Sequence, residues 1–134
     1  MTNEEINAVI SDLRGYRPLI NECRILKRQL MEEDEMSYGL HSAGRISGNS
    51  TFQGTDRIYW LMRKEETENI LKEKQKKLEE TEKKIERIAT SADGPLLYRV
   101  YVKNESLRKV ARDYGILPAS LYKRLHKALI NCFG

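Results

Sequence analysis

The sequence predicts an all-α protein in two parts: an N-terminal long helical hairpin or coiled coil, and a C-terminal unit of three short helices. Three observations carry this reading. Apolar residues recur at three- and four-residue steps over two long stretches, the spacing of one helix face. Charged residues make up 33% of the 134 residues, aromatics only 7%, and there are three prolines, which suits long solvated helices better than a large core. The helical patterns are separated by a stretch of scattered Gly, Ser, Thr and Asn rather than by strand signals.

Residues 3–36 read as the first long helix. Thr2 and Glu5 form a capping box at its start. Ile6, Val9, Ile10, Leu13, Tyr16, Ile20, Cys23, Leu26 and Leu30 form its apolar stripe. Gly15 and Pro18 interrupt the stripe, so a kink or break is expected at residues 15–18. The acidic run Glu32-Glu33-Asp34-Glu35 faces an unfavourable helix dipole and is expected to fray the end. Residues 37–55, with Gly39, Gly44, Gly48 and Gly54, read as a flexible loop.

Residues 56–90 read as the second long helix, folded back antiparallel on the first. Leu71, Leu78 and Ile85 repeat every seven residues, but Lys74 and Thr81 stand where a strong coiled coil has Leu, so the seam is half polar. Ile58, Tyr59, Trp60, Leu61 and Met62 are assigned to the hairpin core rather than to a polymerase-binding surface. The Lys/Glu run of 72–87 is assigned to a solvated face. The hairpin, residues 1–90, is expected to serve oligomerisation or partner binding, with residues 91–95 as linker and hinge.

The tail, residues 96–134, has the layout of a helix-turn-helix. Leu96 to Lys103 makes a short helix with Leu96, Leu97 and Val100 turned inward. Ser106 caps the next helix, Val110 and Ala111 are its apolar pair, and Gly115 accepts the positive φ of a sharp turn. A third helix over 118–133 opens with Pro118 in its first turn and has Leu121, Leu125 and Leu129 on its apolar side, although Leu117 is a weak cap. Three helices in so short a span lie near the lower limit of independent stability, which calls for support from an upstream helix or a partner.

Charge follows the same division. The tail holds Arg99, Lys103, Arg108, Lys109, Arg112, Lys123, Arg124 and Lys127 against only Glu105 and Asp113, a balance of +6, which leaves residues 1–95 at −2. A basic module joined to a weakly acidic one is the footprint of a protein whose one end meets phosphate.

The segment from Leu96 to Phe133 resembles the promoter-reading region four of bacterial sigma factors, through Ser106-Leu107, Val110-Ala111, Gly115-Ile116, Leu121 and Ala128-Leu129. The whole layout is similar to small phage and prophage regulators of the ArpU- and RinA-type late-gene activators. The resemblance implies binding of double-stranded DNA and control of transcription of phage or mobile-element genes. By position, it implies base reading by Ala119, Ser120, Tyr122 and Lys123. Lys103, Ser106, Arg108, Lys109, Arg112, Arg124 and Lys127 are then available for phosphate or flanking bases. Such sigma domains often carry Arg or Glu at the sites of Pro118 and Ala119, so the target here need not be a standard promoter element. The expected partners are duplex DNA, a second copy as homodimer, and RNA polymerase.

Other classes find little support. No Ser/His/Asp or Cys/His set has motif support and no Gly-rich phosphate loop follows a strand, so no enzyme and no cofactor are expected. Two histidines, His41 and His126, and two distant cysteines, Cys23 and Cys132, argue against a metal site and for reduced thiols. No apolar run reaches the roughly 20 residues of a membrane span, and Met1-Thr2-Asn3-Glu4-Glu5 does not start like a signal peptide. A cytoplasmic protein of a bacterial host is therefore expected. Two alternatives remain: a small terminase-type packaging subunit, and an interaction protein that binds RNA polymerase or a host regulator through its long helices as a sigma mimic.

Overall fold

A computed structural model describes residues 1–38 and 50–134, with residues 50–55 given by backbone alone. Among the described residues the protein is all-helical, as its spacing predicts. The helices are α1 (Asn3–Arg14), α2 (Tyr16–Ser37), α3 (Ser50–Ala89), α4 (Gly94–Leu97), a π-helical turn (Tyr98–Val102), α5 (Leu107–Asp113) and α6 (Pro118–Phe133). They form two compact units: Met1–Leu19 with Leu78–Gly134, and Ile20–Lys77. The division therefore falls inside α2 and α3, not at residues 91–95, and α1 belongs with the C-terminal helices rather than with a hairpin of residues 1–90.

In the first unit, the Thr2 hydroxyl accepts from the Glu5 amide at 3.2 Å and starts α1. The expected break comes at Gly15. Its cause is Pro18, which has no N–H to give the Arg14 carbonyl four residues back. The Asn104 side chain supplies the donor instead, from Nδ2 at 3.4 Å. Asn104 does so from the left-handed region, at φ +57°, which Asn tolerates better than most residues. Ile6, Val9 and Leu13 of α1 are buried in one core with Ile88 of α3, Leu96, Leu97, Val100, Tyr101 and Val102, and the apolar faces of α5 and α6. The Asp12 carboxylate accepts from Lys84 Nζ and ties α1 to α3.

The segment read as a linker is a tight junction. Ser91 Oγ donates to the Ile88 carbonyl at 2.7 Å, and α4 already begins at Gly94, which is buried. A Cβ at Gly94 would stand 2.6 Å from the Ile88 carbonyl oxygen, closer than backbone can yield to. Gly94→Ala should therefore destabilise this unit by about 1–3 kcal/mol, read as a lowered midpoint in denaturant titration. The regular helix expected from Leu96 to Lys103 is instead α4 followed by the π-helical turn, closed by Lys103 N donating to the Tyr98 carbonyl at 2.9 Å. The wider turn lets three successive residues, Val100, Tyr101 and Val102, all be buried.

In the second unit, α2 and α3 run antiparallel. Glu22 pairs with Lys74 at 3.1 Å and Asp34 with Lys64 at 2.6 Å, while Gln29 donates to Thr67 at 3.3 Å. The acidic run expected to fray lies within α2, which continues to Ser37; the Lys64 ammonium opposite Asp34 offsets the dipole. The expected loop of 37–55 is shorter at both ends: Ser37 is helical, and α3 starts at Ser50 rather than at residue 56. Extending a helix already formed adds a hydrogen bond per residue, which outweighs the weak propensity of Thr51 and Gly54. Residues 39–49 of that loop lie outside the described residues, as does His41.

One expectation fails here. Ile58, Tyr59, Leu61 and Met62 are not hairpin core; Ile58 and Met62 are each 60% exposed. The seam of α3 passes through Leu71, Thr67, Lys64 and Trp60 at steps of four and three, and the four apolar residues fall off that line. Among the described residues of this unit the buried side chains are few: Cys23, Glu33, Ser37, Thr67 and Leu71. Both cysteines are free thiols.

Candidate nucleic-acid interface

The candidate interface is built on α5, the turn after it, and α6. Ser106 Oγ accepts from the Lys109 amide at 3.1 Å and fixes the start of α5. Its end is a Schellman turn: Ile116 N donates to the Ala111 carbonyl at 3.0 Å and Gly115 N to the Arg112 carbonyl at 3.1 Å, with Gly115 at φ +67°. Val110 and Ala111 are buried against α6, whose Leu121, Leu125, Ala128 and Leu129 face inward. Pro118 occupies the first turn of α6, and Leu117 makes no side-chain cap and is 72% exposed.

That packing leaves the opposite face of α6 to solvent. Ala119, Ser120, Tyr122 and Lys123 are all exposed there, within roughly 6 Å along the helix axis. Arg124 and Lys127 continue the same face. The Tyr122 ring lies against His126, with centroids 4.4 Å apart. Lys103, Ser106, Arg108, Lys109 and Arg112 are likewise exposed. The Ser106 hydroxyl is engaged in its cap, and the Lys103 ammonium stands 5.8 Å from the Tyr98 ring centre.

Not every cation of the tail is at liberty. Arg99 reaches Glu105 through Nε at 2.8 Å and Nη2 at 3.1 Å, and Asp113 through Nη2 at 2.6 Å. It is a brace between the π-helical turn, the loop before α5 and the end of α5. Both acids of the tail are thus consumed by one buttress. Lys109 also approaches Glu105, at 3.5 Å. Arg124 makes two hydrogen bonds to Asp93 Oδ1, at 3.1 and 2.7 Å, which raise its pKa. Among the described residues Arg108, Arg112, Lys123 and Lys127 make no ion pair. Spacing gave no sign of the Arg99 brace or of the Asp93–Arg124 pair, because both join residues from different elements.

The Arg99 hydrogen bonds, with help from Lys109, hold the Glu105 carboxyl well below its ordinary 4.5, at about 2. A carboxyl whose pKa is lower in the folded state stabilises that state above its ordinary pKa and loses this contribution as pH falls through the folded value. The brace should therefore be complete above about pH 5 and lost towards pH 2. Glu105→Gln should flatten the acid dependence of unfolding in that window, as read by circular dichroism along a pH series.

No protein-family model, curated protein or solved structure matches this chain. The site stands on its geometry. A helix with one face buried and the other bearing Ser, Tyr and Lys, held at a fixed turn from a basic helix, can present hydrogen-bond donors to base edges while flanking cations meet phosphate. Among the described residues no cluster of three His, Cys, Asp or Glu side chains is arranged to hold a metal ion, and no helix is long and apolar enough to cross a membrane.

Proposed function

We propose that this protein is a sequence-specific double-stranded DNA-binding regulator of transcription, acting on phage or mobile-element genes in the bacterial cytoplasm and reading the major groove with α6. The observation that carries this reading is the exposed face from Ala119 to Lys127, set against the Schellman turn at Gly115. Lys123 is the leading base contact, since a cation there reaches guanine acceptors and no carboxylate holds it. Arg108, Lys109 and Arg112 fix register on the backbone. As a homodimer the protein would set two such helices on half-sites a whole number of helical turns apart.

The deciding experiment is selection from a randomised duplex pool at near-physiological salt, followed by sequencing of the retained fraction. A recovered motif supports the reading, and a repeated half-site supports the dimer; no enrichment by folded protein removes it. Affinity should also fall with salt by counterion release, with a log–log slope of about −4 to −6 per protomer, measured from 50 to 300 mM salt in roughly equal steps. A flat response would remove DNA binding.

A second reading has an observation of its own. The exposed Ile58, Tyr59, Leu61 and Met62 favour a protein partner on α3, so the chain could also grip RNA polymerase or a host regulator. A small terminase-type subunit would require a ring-sized mass in sedimentation.

A further inference from the structure

The Ile20–Lys77 unit holds a cavity of about 570 Å³ between α2 and α3, lined by Glu32, Glu33, Glu35, Met36, Trp60 and Arg63. Glu33 is its unusual member. The side chain is only 4% exposed. Its Oε2 has the Gln29 amide at 3.4 Å and Arg63 Nε at 3.6 Å, the second beyond hydrogen-bonding reach. Its Oε1 is buried with no hydrogen-bond partner, and such an atom is costly to leave unsatisfied. Arg63, still 47% exposed, does not close the pair.

The surroundings select the missing partner. Residues 31–38 and 56–68 together carry eight carboxylates and three cations, so this end of the unit attracts positive charge. The carboxylates are not arranged to hold a metal ion. Trp60 and Met36 give the cavity an aromatic wall and an apolar wall, which suit a cation carried on an apolar stem. At the same end of the unit Met31, Tyr38, Tyr59 and Leu61 are also exposed, while Ile58 and Met62 lie on the face of α3 opposite Trp60. Met36 and Trp60 beside Glu32, Glu33 and Glu35 form a surface for a basic amphipathic segment.

We infer that this cavity is a docking site for an arginine side chain on a basic amphipathic segment of a separate partner protein, with the guanidinium donating to Glu33 Oε1 and lying along Trp60. Arginine fits better than lysine because its planar, weakly hydrated head is easier to bury and can stack while it donates. The inference is independent of DNA reading by α6.

The test uses the full chain and two blocked synthetic peptides without Trp or Tyr: an amphipathic Arg/Leu helix, and the same peptide with citrulline for arginine. Trp60 is the only tryptophan, so its emission reports the cavity directly. The arginine peptide should shift that emission saturably, with the citrulline peptide at least about tenfold weaker. Glu33→Gln should weaken the arginine peptide by about tenfold and leave the citrulline peptide unchanged, while Glu65→Gln, on the outer face, changes neither by more than about twofold. If Glu33→Gln does not fold, Trp60→Leu followed by calorimetry takes its place, with the same loss expected. Equal affinity for both peptides, an unshifted emission, or a Glu33→Gln protein that binds as the parent does would overturn the inference. A chain that is dimeric and is driven to monomer by the arginine peptide would give the cavity to a second copy and overturn the assignment to a separate partner.

Discussion

Leu13→Ala is expected to destabilise the unit that holds α5 and α6 by about 2–5 kcal/mol, although Leu13 lies far from them in sequence. Leu13 is fully buried, at 0% exposure, in the core that includes Val110, Leu121, Leu125 and Leu129. Truncation leaves a void that a close-packed core does not fill by relaxation. A loss of that size is a large part of the roughly 5–15 kcal/mol that holds an ordinary domain together. Denaturant titration followed by circular dichroism measures it, and duplex DNA binding should fall in parallel near the shifted midpoint. Ile25→Ala, at an exposed position of the other unit, should stay within about 0.5 kcal/mol. An unchanged midpoint for Leu13→Ala would mean that α1 does not belong to this core.

Lys123→Ala should cost about 1–3 kcal/mol of specific DNA affinity, roughly fivefold to 150-fold, with no change in melting. Lys123 is exposed and unpaired, so its removal disturbs no contact of the fold. The loss should be accompanied by relaxed preference at one base pair, which a repeated pool selection reads. Arg124→Ala should act differently. Arg124 is held by Asp93, and its release to phosphate must compete with that pair. Asp93→Asn should therefore tighten binding to all duplexes alike, without sharpening sequence preference. If Lys123→Ala binds its selected site as the parent does, base reading by this face is not the mechanism.

The features legible in the sequence are the local ones. Ser106 as cap, Gly115 as left-handed turn residue, and the inward Leu121, Leu125 and Leu129 each depend on neighbours within a few positions, so spacing is enough to find them. The interruption at Gly15 and Pro18 was legible for the same reason. The burial partner of α1 was not, because an amphipathic stripe says that a face is covered and not by what. The exposure of Ile58, Tyr59, Leu61 and Met62 was legible in principle: the Leu71–Leu78–Ile85 repeat, carried backwards with its partner positions, lands on Lys64 and Trp60 and misses all four. Arg99 counted as one more cation in the tail, and only the folded arrangement shows it spent on Glu105 and Asp113.

Because Leu13 of α1 and Leu129 of α6 share one core, that core closes only after α6 has left the ribosome. A nascent chain that has emerged only as far as α3 has Ile85 and Ile88 alone of that core to set against α1. The first unit is then completed in a single late step rather than helix by helix, and a chain stopped before α6 lacks the residues that close its core.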